Sequence, residues 1–351
     1  PFDTPWHFLK EIAGRGRLLR VLRTDRVQVV EVEAQRWVFD AEAMRWTQPG
    51  VTFRRLIALV ETGGDGIALV DLARLRGGDE HWRLCRGLEG AFEMQGIQPQ
   101  EQPGTLAGPN IQRGQLDAVR HGDHLGLAWM DDVHVLDVPG PVRGAWTSRH
   151  GGDARLDLHV LRTTPGTTMR SAHATAVMDT PERSKYDYRA LAWQRPSPGD
   201  TTTCVDLVFE PHVNGASLAE AVVITADAEE ACGVGLQTTA GDVSLYWSPG
   251  RTPDEITRFD DGTELAGALT VIADDHVTAL GSAGLTHAGR RTRLPAARQV
   301  GTIVALDRRR CTIDVEGFDD VLTGGRVVIN ADGRGHSYQI TTVVPVTDSV
   351  Q

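Results

Sequence analysis

Arg155-Leu156-Asp157-Leu158-His159-Val160 alternates charged or polar side chains with aliphatic ones. In an extended chain successive side chains point to opposite faces, so Leu156, Leu158 and Val160 share one face and Arg155, Asp157 and His159 the other. This is the pattern of an antiparallel strand with its apolar face on a core and its polar face in water. The same period runs outward in both directions. Val27, Val29 and Val32 stand among Gln28, Glu31 and Glu33, with the Val29-Val30 doublet read as a bulge. Leu56 to Val60 and Ile67 to Leu72 flank Glu61-Thr62-Gly63-Gly64-Asp65-Gly66, whose glycines supply the positive φ values of a hairpin. Further strands are expected at Val133 to Val138, Val205 to Phe209, Ala221 to Thr225, Val243 to Trp247 and Leu269 to Ile272. Turn clusters separate them and long helical periods are missing, which predicts an all-β chain built on a large antiparallel β-sandwich.

The expected organisation has four parts. Residues 1–22 form an amino-terminal segment in which Thr4-Pro5 opens a short helix through Glu11, residues 23–288 the sandwich, 289–300 a linker, and 301–351 a small carboxy-terminal β domain. The linker reading rests on the basic, patternless run from Ala288 to Val300. The terminal domain rests on short strands at Thr302 to Leu306, Cys311 to Val315, Arg326 to Asn330 and Ser337 to Val344. Thr252-Pro253-Asp254-Glu255 has the spacing of a capping box and predicts one surface turn of helix. The first residue is Pro1, which suggests a piece of something longer.

Composition narrows the function. With 36 Lys+Arg against 47 Asp+Glu the formal charge is −11, which opposes general attraction to nucleic acid, so no nucleic-acid partner is expected. No window approaches the roughly 18 uncharged apolar residues of a membrane helix, so no membrane partner is expected either. Cys85, Cys204, Cys232 and Cys311 lack the close pairing of zinc or redox sites and read as buried thiols. No Asn-x-Ser/Thr sequon and no Gly-x-Ser-x-Gly elbow occurs. Gly233-Val234-Gly235 is read as hairpin glycines rather than a dinucleotide loop, because Thr238 stands where a third glycine is needed. His121-Gly122-Asp123-His124, with His134, contains metal-ligand residue types but reads as a loop, and neither metal nor cofactor is expected. Tyr186, Tyr188, Tyr246 and Tyr338 sit in strand-like stretches where packing is the commoner role.

The arginines are denser. Arg54, Arg55, Arg74, Arg76, Arg83 and Arg86 lie on adjacent expected strands, and their planar forks suit carboxylate or sulfate groups. The alternative is local neutralisation by Asp71, Asp79 and Glu80. Phe53-Arg54-Arg55 with the apolar run to Val60, Val70-Asp71, and Arg76-Gly77-Gly78-Asp79-Glu80-His81-Trp82 together resemble the β-sandwich half of heparinase II/III-type polysaccharide lyases. Cys204 to Pro211 is similar to that family's strand ending in Glu-Pro, and Gly301 to Ile340 to its small closing β unit. One departure is visible: where the family has a second histidine before glycine, this chain has Arg86 before Gly87.

The resemblance implies β-elimination on uronic-acid polysaccharides. A base takes the C5 proton, hydrogen-bond donors stabilise the enolate-like carboxylate, and an acid protonates the O4 leaving group. It also implies a catalytic α/α-toroid that is not found in these residues, an acidic polysaccharide as partner, and a secreted or periplasmic setting. This chain is then expected to form one wall of the cleft, with Arg54, Arg55 and His81 as substrate-binding candidates and no catalytic residue of its own. Glu210 is expected to act as a structural acceptor at a strand end, with Pro211 stopping the ladder. The competing reading is a non-catalytic carbohydrate-binding or scaffold module, which needs exposed aromatics such as some of the eight tryptophans.

Overall fold

The computed structural model describes residues 12–40, 45–47, 50–119, 122–138, 140–150, 153–177, 185–197, 199–213, 215–253, 255–273, 276–293, 302–307, 312–316, 326–331 and 334–339. Antiparallel strands account for nearly all of the regular structure, and the helical pieces among the described residues are two 3-10 segments, Leu116–Ala118 and Gly122–Trp129. The expected all-β class is therefore what the chain adopts. The helix expected between Thr4 and Glu11 lies outside the described residues, and Ile12–Arg23 is strand. The chain divides into two compact units, one of residues 1–14, 34–223 and 235–242, the other of 15–33, 224–234 and 243–351.

In the first unit two sheets pack face to face. One runs, in hydrogen-bonding order, Thr52–Gly63, Gly66–Arg76, Thr202–His212, Arg155–Thr163, Val142–Ser148 and Gly90–Met94. The other runs Glu80–Arg86, Lys185–Pro196, Thr168–Val177, Asp131–Leu136 and Gln100–Gln102. Trp146, Leu158, Val160, Val205, Leu207 and Phe209 of the first sheet meet Leu136, Met169, Leu191 and Trp193 of the second in one core. Leu158 and Val160 thus point inward, as their spacing predicts. His159 corrects the other half of that reading: it is 5% exposed, because the outer face of its sheet is also covered, by Ala216, Leu218 and their neighbours. Glu210 is buried near its strand end, and its Oε1 accepts from Ser217 N (2.7 Å), Ser217 Oγ (3.0 Å) and Leu218 N (2.9 Å). Pro211 does not stop the ladder, since it still pairs with Leu156 and the strand runs to His212.

The turn from one sheet to the other is made by Arg76-Gly77-Gly78-Asp79. Gly77 and Gly78 have φ of 80° and 85°, a left-handed pair that side chains disfavour, and a Cβ on Gly77 would lie 2.5 Å from Gly50 O. The strand that follows, Glu80–Arg86, carries its polar residues inward. His81 and Arg83 are buried and Cys85 packs on the core, while Leu84 on the opposite side is 41% exposed. Asp71 receives Arg83 from across the sandwich and a fork from Arg55, Nε to Oδ1 at 2.7 Å and Nη2 to Oδ2 at 2.8 Å. On the reverse face of the same sheet Asp206 takes Arg74 at 2.5 Å and Arg162 at 2.6 Å. Burial pushes the Asp206 carboxyl up, but the two guanidiniums outweigh it and hold the carboxyl below its ordinary range.

In the second unit Val243–Trp247, Glu264–Ala273, His276–His287 and Arg290–Arg293 pair in order, with Ile256–Arg258 on Glu264–Ala273. Part of the basic stretch expected as a linker is therefore a short strand. Gly233 corrects the hairpin reading: it lies inside Cys232–Thr238, where a Cβ would come within 3.0 Å of Ile224 and 3.1 Å of Tyr246. Glu255 does close on Thr252, accepting from its N at 2.7 Å and Oγ1 at 3.0 Å, yet no helix follows, because Ile256 enters a strand at once. Buried Glu31 accepts from Trp247 Nε1 at 3.0 Å and pairs with Arg20 at 2.5 Å. Thr302–Asp307 with Thr312–Glu316 and Arg326–Ala331 with Arg334–Gln339 form two hairpins; the first three strands lie where the sequence places them, whereas the fourth begins at Arg334 rather than Ser337, and the expected stretch over residues 340–344 lies outside the described residues.

Breaking the inter-sheet pair leaves the buried Arg83 guanidinium without a counter-charge, which costs about 3–5 kcal/mol, whereas an apolar pair of similar volume is close to neutral. Asp71→Asn should therefore lower the denaturant midpoint sharply, and the combined Asp71→Leu, Arg83→Met variant should recover most of the loss. Equal midpoints for wild type and Asp71→Asn would show that the pair is not buried as described.

Candidate functional site

Arg55 and His81 come to the same inter-sheet layer, and Arg54 does not. Arg54 stands opposite Arg74 in register, on the other face of the sheet from its neighbour Arg55. Arg55 is committed to Asp71, whose hydrogen bond is the main reason its pKa is raised. His81 is 4% exposed, with Nε2 at 2.8 Å from Gly77 O and Nδ1 at 2.6 Å from Thr203 Oγ1. A carbonyl only accepts, so Nε2 carries the proton and Nδ1 accepts from the threonine. Burial, and secondarily Arg195, hold His81 below the usual imidazole range against the opposing pull of Gly77. A ligand at His81 has to displace one of these two partners.

A second set of polar groups gathers at one end of the sandwich. His173 pairs in register with Arg189 on one side and Asp131 on the other, and Thr175 pairs with Asp187 one row further out. His173 Nδ1 lies 3.1 Å from Asp131 Oδ1 and Nε2 3.4 Å from Asp187 Oδ1. Arg113 reaches Asp131 at 2.8 Å and Thr175 Oγ1 at 3.3 Å, and Thr175 donates to Asp187 at 2.8 Å. The register slips between Ser171 and His173, and beside that slip Asp132 takes φ of 47°. Arg189 clamps this irregularity, donating to Asp132 O at 2.5 Å and Oδ2 at 2.6 Å. Burial pushes Asp131 up, but hydrogen bonds from Arg113 and His173 leave its carboxyl below the ordinary range. Asp187 is held low chiefly by Thr175 and then by His173.

Trp129 stands beside this cluster. It is 52% exposed at the end of the Gly122–Trp129 segment, and a Cβ on Gly114 would lie 3.1 Å from its Cη2, so glycine brings the backbone close against the ring. Gly114 follows Arg113, and Gly114 N donates to Ala128 O at 2.9 Å, which ties Trp129 to the Arg113–Asp131–His173 chain. Trp146, Trp193 and Trp247 are fully buried, and Trp82 donates to Glu80 at 2.6 Å. Among the tryptophans whose side chains are described, Trp129 has the exposed ring.

The other sequence candidates are placed as follows. His121 lies outside the described residues, the side chain of His124 is not described, and residues from Gly122 onward form a 3-10 segment rather than the loop expected. His134 Nε2 is 3.8 Å from Asp132 Oδ1, and among the described residues no group of three His, Cys, Asp or Glu is placed to hold a cation. Tyr188 is in a core cluster, and Tyr246 donates to Asp261 at 2.6 Å, with burial and that carboxylate pushing its pKa up to about 12. Burial likewise pushes the Cys85 thiol up to about 12. No helix among the described residues is long and apolar enough to cross a membrane.

No family model and no curated protein matches the sequence. Among solved structures, heparan sulfate lyase HepC from Pedobacter heparinus overlaps with a TM-score of 0.35 and 9% identity, covering 66% of this chain and 27% of that one. A HepC mutant from the same organism gives a TM-score of 0.32 and 9% identity, over 75% of this chain and 27% of the other. The chain thus spans just over a quarter of the length of those lyases, and a likeness of this degree assigns neither fold family nor activity.

A histidine whose folded pKa lies below its unfolded value of about 6.5 leaves the unfolded chain binding more protons, so stability falls as pH drops below that value. His81 and His159 are both of this kind, each lowered first by burial. Unfolding free energy should therefore decline between pH 7 and pH 5.5, and the slope should flatten in His81→Gln. An unchanged slope in that variant would mean His81 is not buried neutral.

Proposed function

We propose that this chain is the β-sandwich region of a polysaccharide lyase acting on uronic-acid polymers, and that the Trp129 end of the sandwich holds the glycan. The observation that carries the reading is the exposed Trp129 ring set beside groups of both signs. A glycan presents flat apolar ring faces, hydroxyls that donate, and carboxylates that accept. Trp129 meets the first with its indole face, Asp131 and Asp187 the second, and Arg113 and Arg189 the third. In this reading the chain binds and orients the substrate as one wall of the cleft, and a catalytic toroid in the parent protein supplies the base and acid of the elimination. Arg55 and His81 then belong to the frame that sets the two sheets, and Arg54 to the reverse face.

One observation favours a glycan-binding module without turnover. Both nitrogens of His173 face carboxylates of this chain, so a substrate has to displace Asp131 or Asp187 to reach the ring.

Trp129→Ala should weaken retention of an acidic polysaccharide about tenfold with little change in melting, since the ring is exposed and truncation of a central aromatic contact costs roughly 1.4 kcal/mol or more. Arg113→Ala should reduce the salt sensitivity of binding, because an exposed guanidinium contributes mainly through a screened charge. Equal retention by wild type and Trp129→Ala would remove this surface as the glycan site, and unsaturated product formed by the chain alone, seen in the ultraviolet, would remove the division of labour.

A further inference from the structure

Outside the Trp129 end, one cavity in the first unit is open and polar. It has a volume of about 90 Å³ and is walled by Gln95, Arg143, Arg155, Asp157, His159 and Leu218, with backbone from Gly144. Arg143 and His159 face each other in register on adjacent strands and so share the outer face of the sheet. His159 is 5% exposed, and among the described residues it makes no hydrogen bond. The His159 ring nitrogens have no protein partner and, unlike those of His212, are not enclosed, so they open on the cavity and a ligand group there can take the place of water. Arg143 makes no ion pair among the described residues, whereas Arg155 is already spent on Asp157 at 2.6 Å. The opposite wall is fixed rather than loose: Glu210 Oε1 holds Ser217 and Leu218 by their backbone N–H groups.

We propose that this cavity is a subsite for a single oxyanion, the carboxylate or sulfate group of an acidic ligand, held by the Arg143 guanidinium and a His159 ring N–H. The volume admits a group of a few heavy atoms and excludes a sugar ring, so the rest of the ligand lies outside along the opening. Gln95 offers an amide donor at the rim.

The charged groups around His159 set a pH signature. On its own strand are Arg155 and Asp157, on the Val142–Ser148 side Arg143, and on the Thr202–His212 side Glu210 and His212. Burial and then Arg143 hold the imidazole low, against Asp157 and Glu210. An anion seated beside it offsets Arg143 and favours the imidazolium, so binding takes up a proton. Affinity accordingly rises as pH falls from 8 to 6.

The test is titration of the 351-residue chain with sodium sulfate and, separately, sodium glucuronate at constant ionic strength made up with chloride, followed by the NMR signals of His159 and by calorimetry. Saturable movement of the His159 resonance is expected with at least one anion, stronger at pH 6 than at pH 8, and reduced at least tenfold in Arg143→Ala, an exposed position whose loss leaves folding intact. Response to sulfate alone assigns a sulfate ester, and response to glucuronate alone a carboxylate; either supports the subsite. No saturable response to either anion up to 100 mM, or full affinity in Arg143→Ala, overturns it. Trp129→Ala leaves this titration unchanged, so failure of the glycan surface and failure of the cavity are told apart.

Discussion

Asp71 is shared by two guanidiniums, one from its own sheet and one from across the sandwich, and this buried charge constrains the geometry around it. A carboxylate at that depth is tolerable only if its lone pairs are met by donors, and Arg55 and Arg83 meet them. Their reach fixes which face of Glu80–Arg86 looks inward, because a slip of one residue would turn Arg83 to the outside and strand Asp71. Burial lowers the pKa of Arg83 and Asp71 opposes that, which is the signature of a charge kept in place by its partner. The two left-handed glycines deliver the strand to this position, and His81 locks it by gripping Gly77 and Thr203.

The same rule identifies His159 by contrast. His81 and His159 lie at 4% and 5% exposure, yet the first spends both nitrogens on the protein and the second spends neither. Burial alone therefore does not mark a site. What marks it is burial with unspent hydrogen-bonding capacity next to room for a ligand. Glu210 joins the two halves of this picture, since its structural bonds to Ser217 and Leu218 build a wall of the cavity that His159 faces.

The period of two in Arg155 to Val160 was enough to read the class of fold, because alternation is a local property of the chain. It was not enough to read exposure. His159 occupies a polar position of an amphipathic strand and is nonetheless covered, and which outer faces are covered depends on segments far away in sequence, here Ala216 and Leu218. In Glu80–Arg86 hydropathy points Trp82 and Leu84 inward, whereas the ion pair to Asp71 inverts the strand. The Arg-Gly-Gly-x-x-His stretch was visible as a motif, but its meaning, a corner pinned by a histidine, needed the φ angles and the Thr203 contact. The Trp129 surface was hidden for a different reason: Arg113, Asp131, His173 and Asp187 come from separate segments, and an irregularity at Asp132 that no pattern announces brings them together.

A formal charge of −11 bears on these sites less than its size suggests. Charge separated from a binding group by more than the roughly 8 Å screening length at physiological salt contributes little, so the local groups decide. In the cavity lining the groups without a protein partner are the Arg143 guanidinium and the His159 imidazole, and Asp157 is held by Arg155 with His212 at 3.3 Å; beyond the lining Glu210 adds a second carboxylate, whose Oε2 has no partner. Around Trp129 both signs are present and already paired with one another, so an incoming carboxylate must compete with Asp131 and Asp187 for Arg113 and His173. The cavity is thus built to recognise charge, and the Trp129 surface to recognise ring faces and hydroxyls with charge in a secondary part. An acidic glycan is the ligand class that gives both something to hold, and neither place alone specifies it.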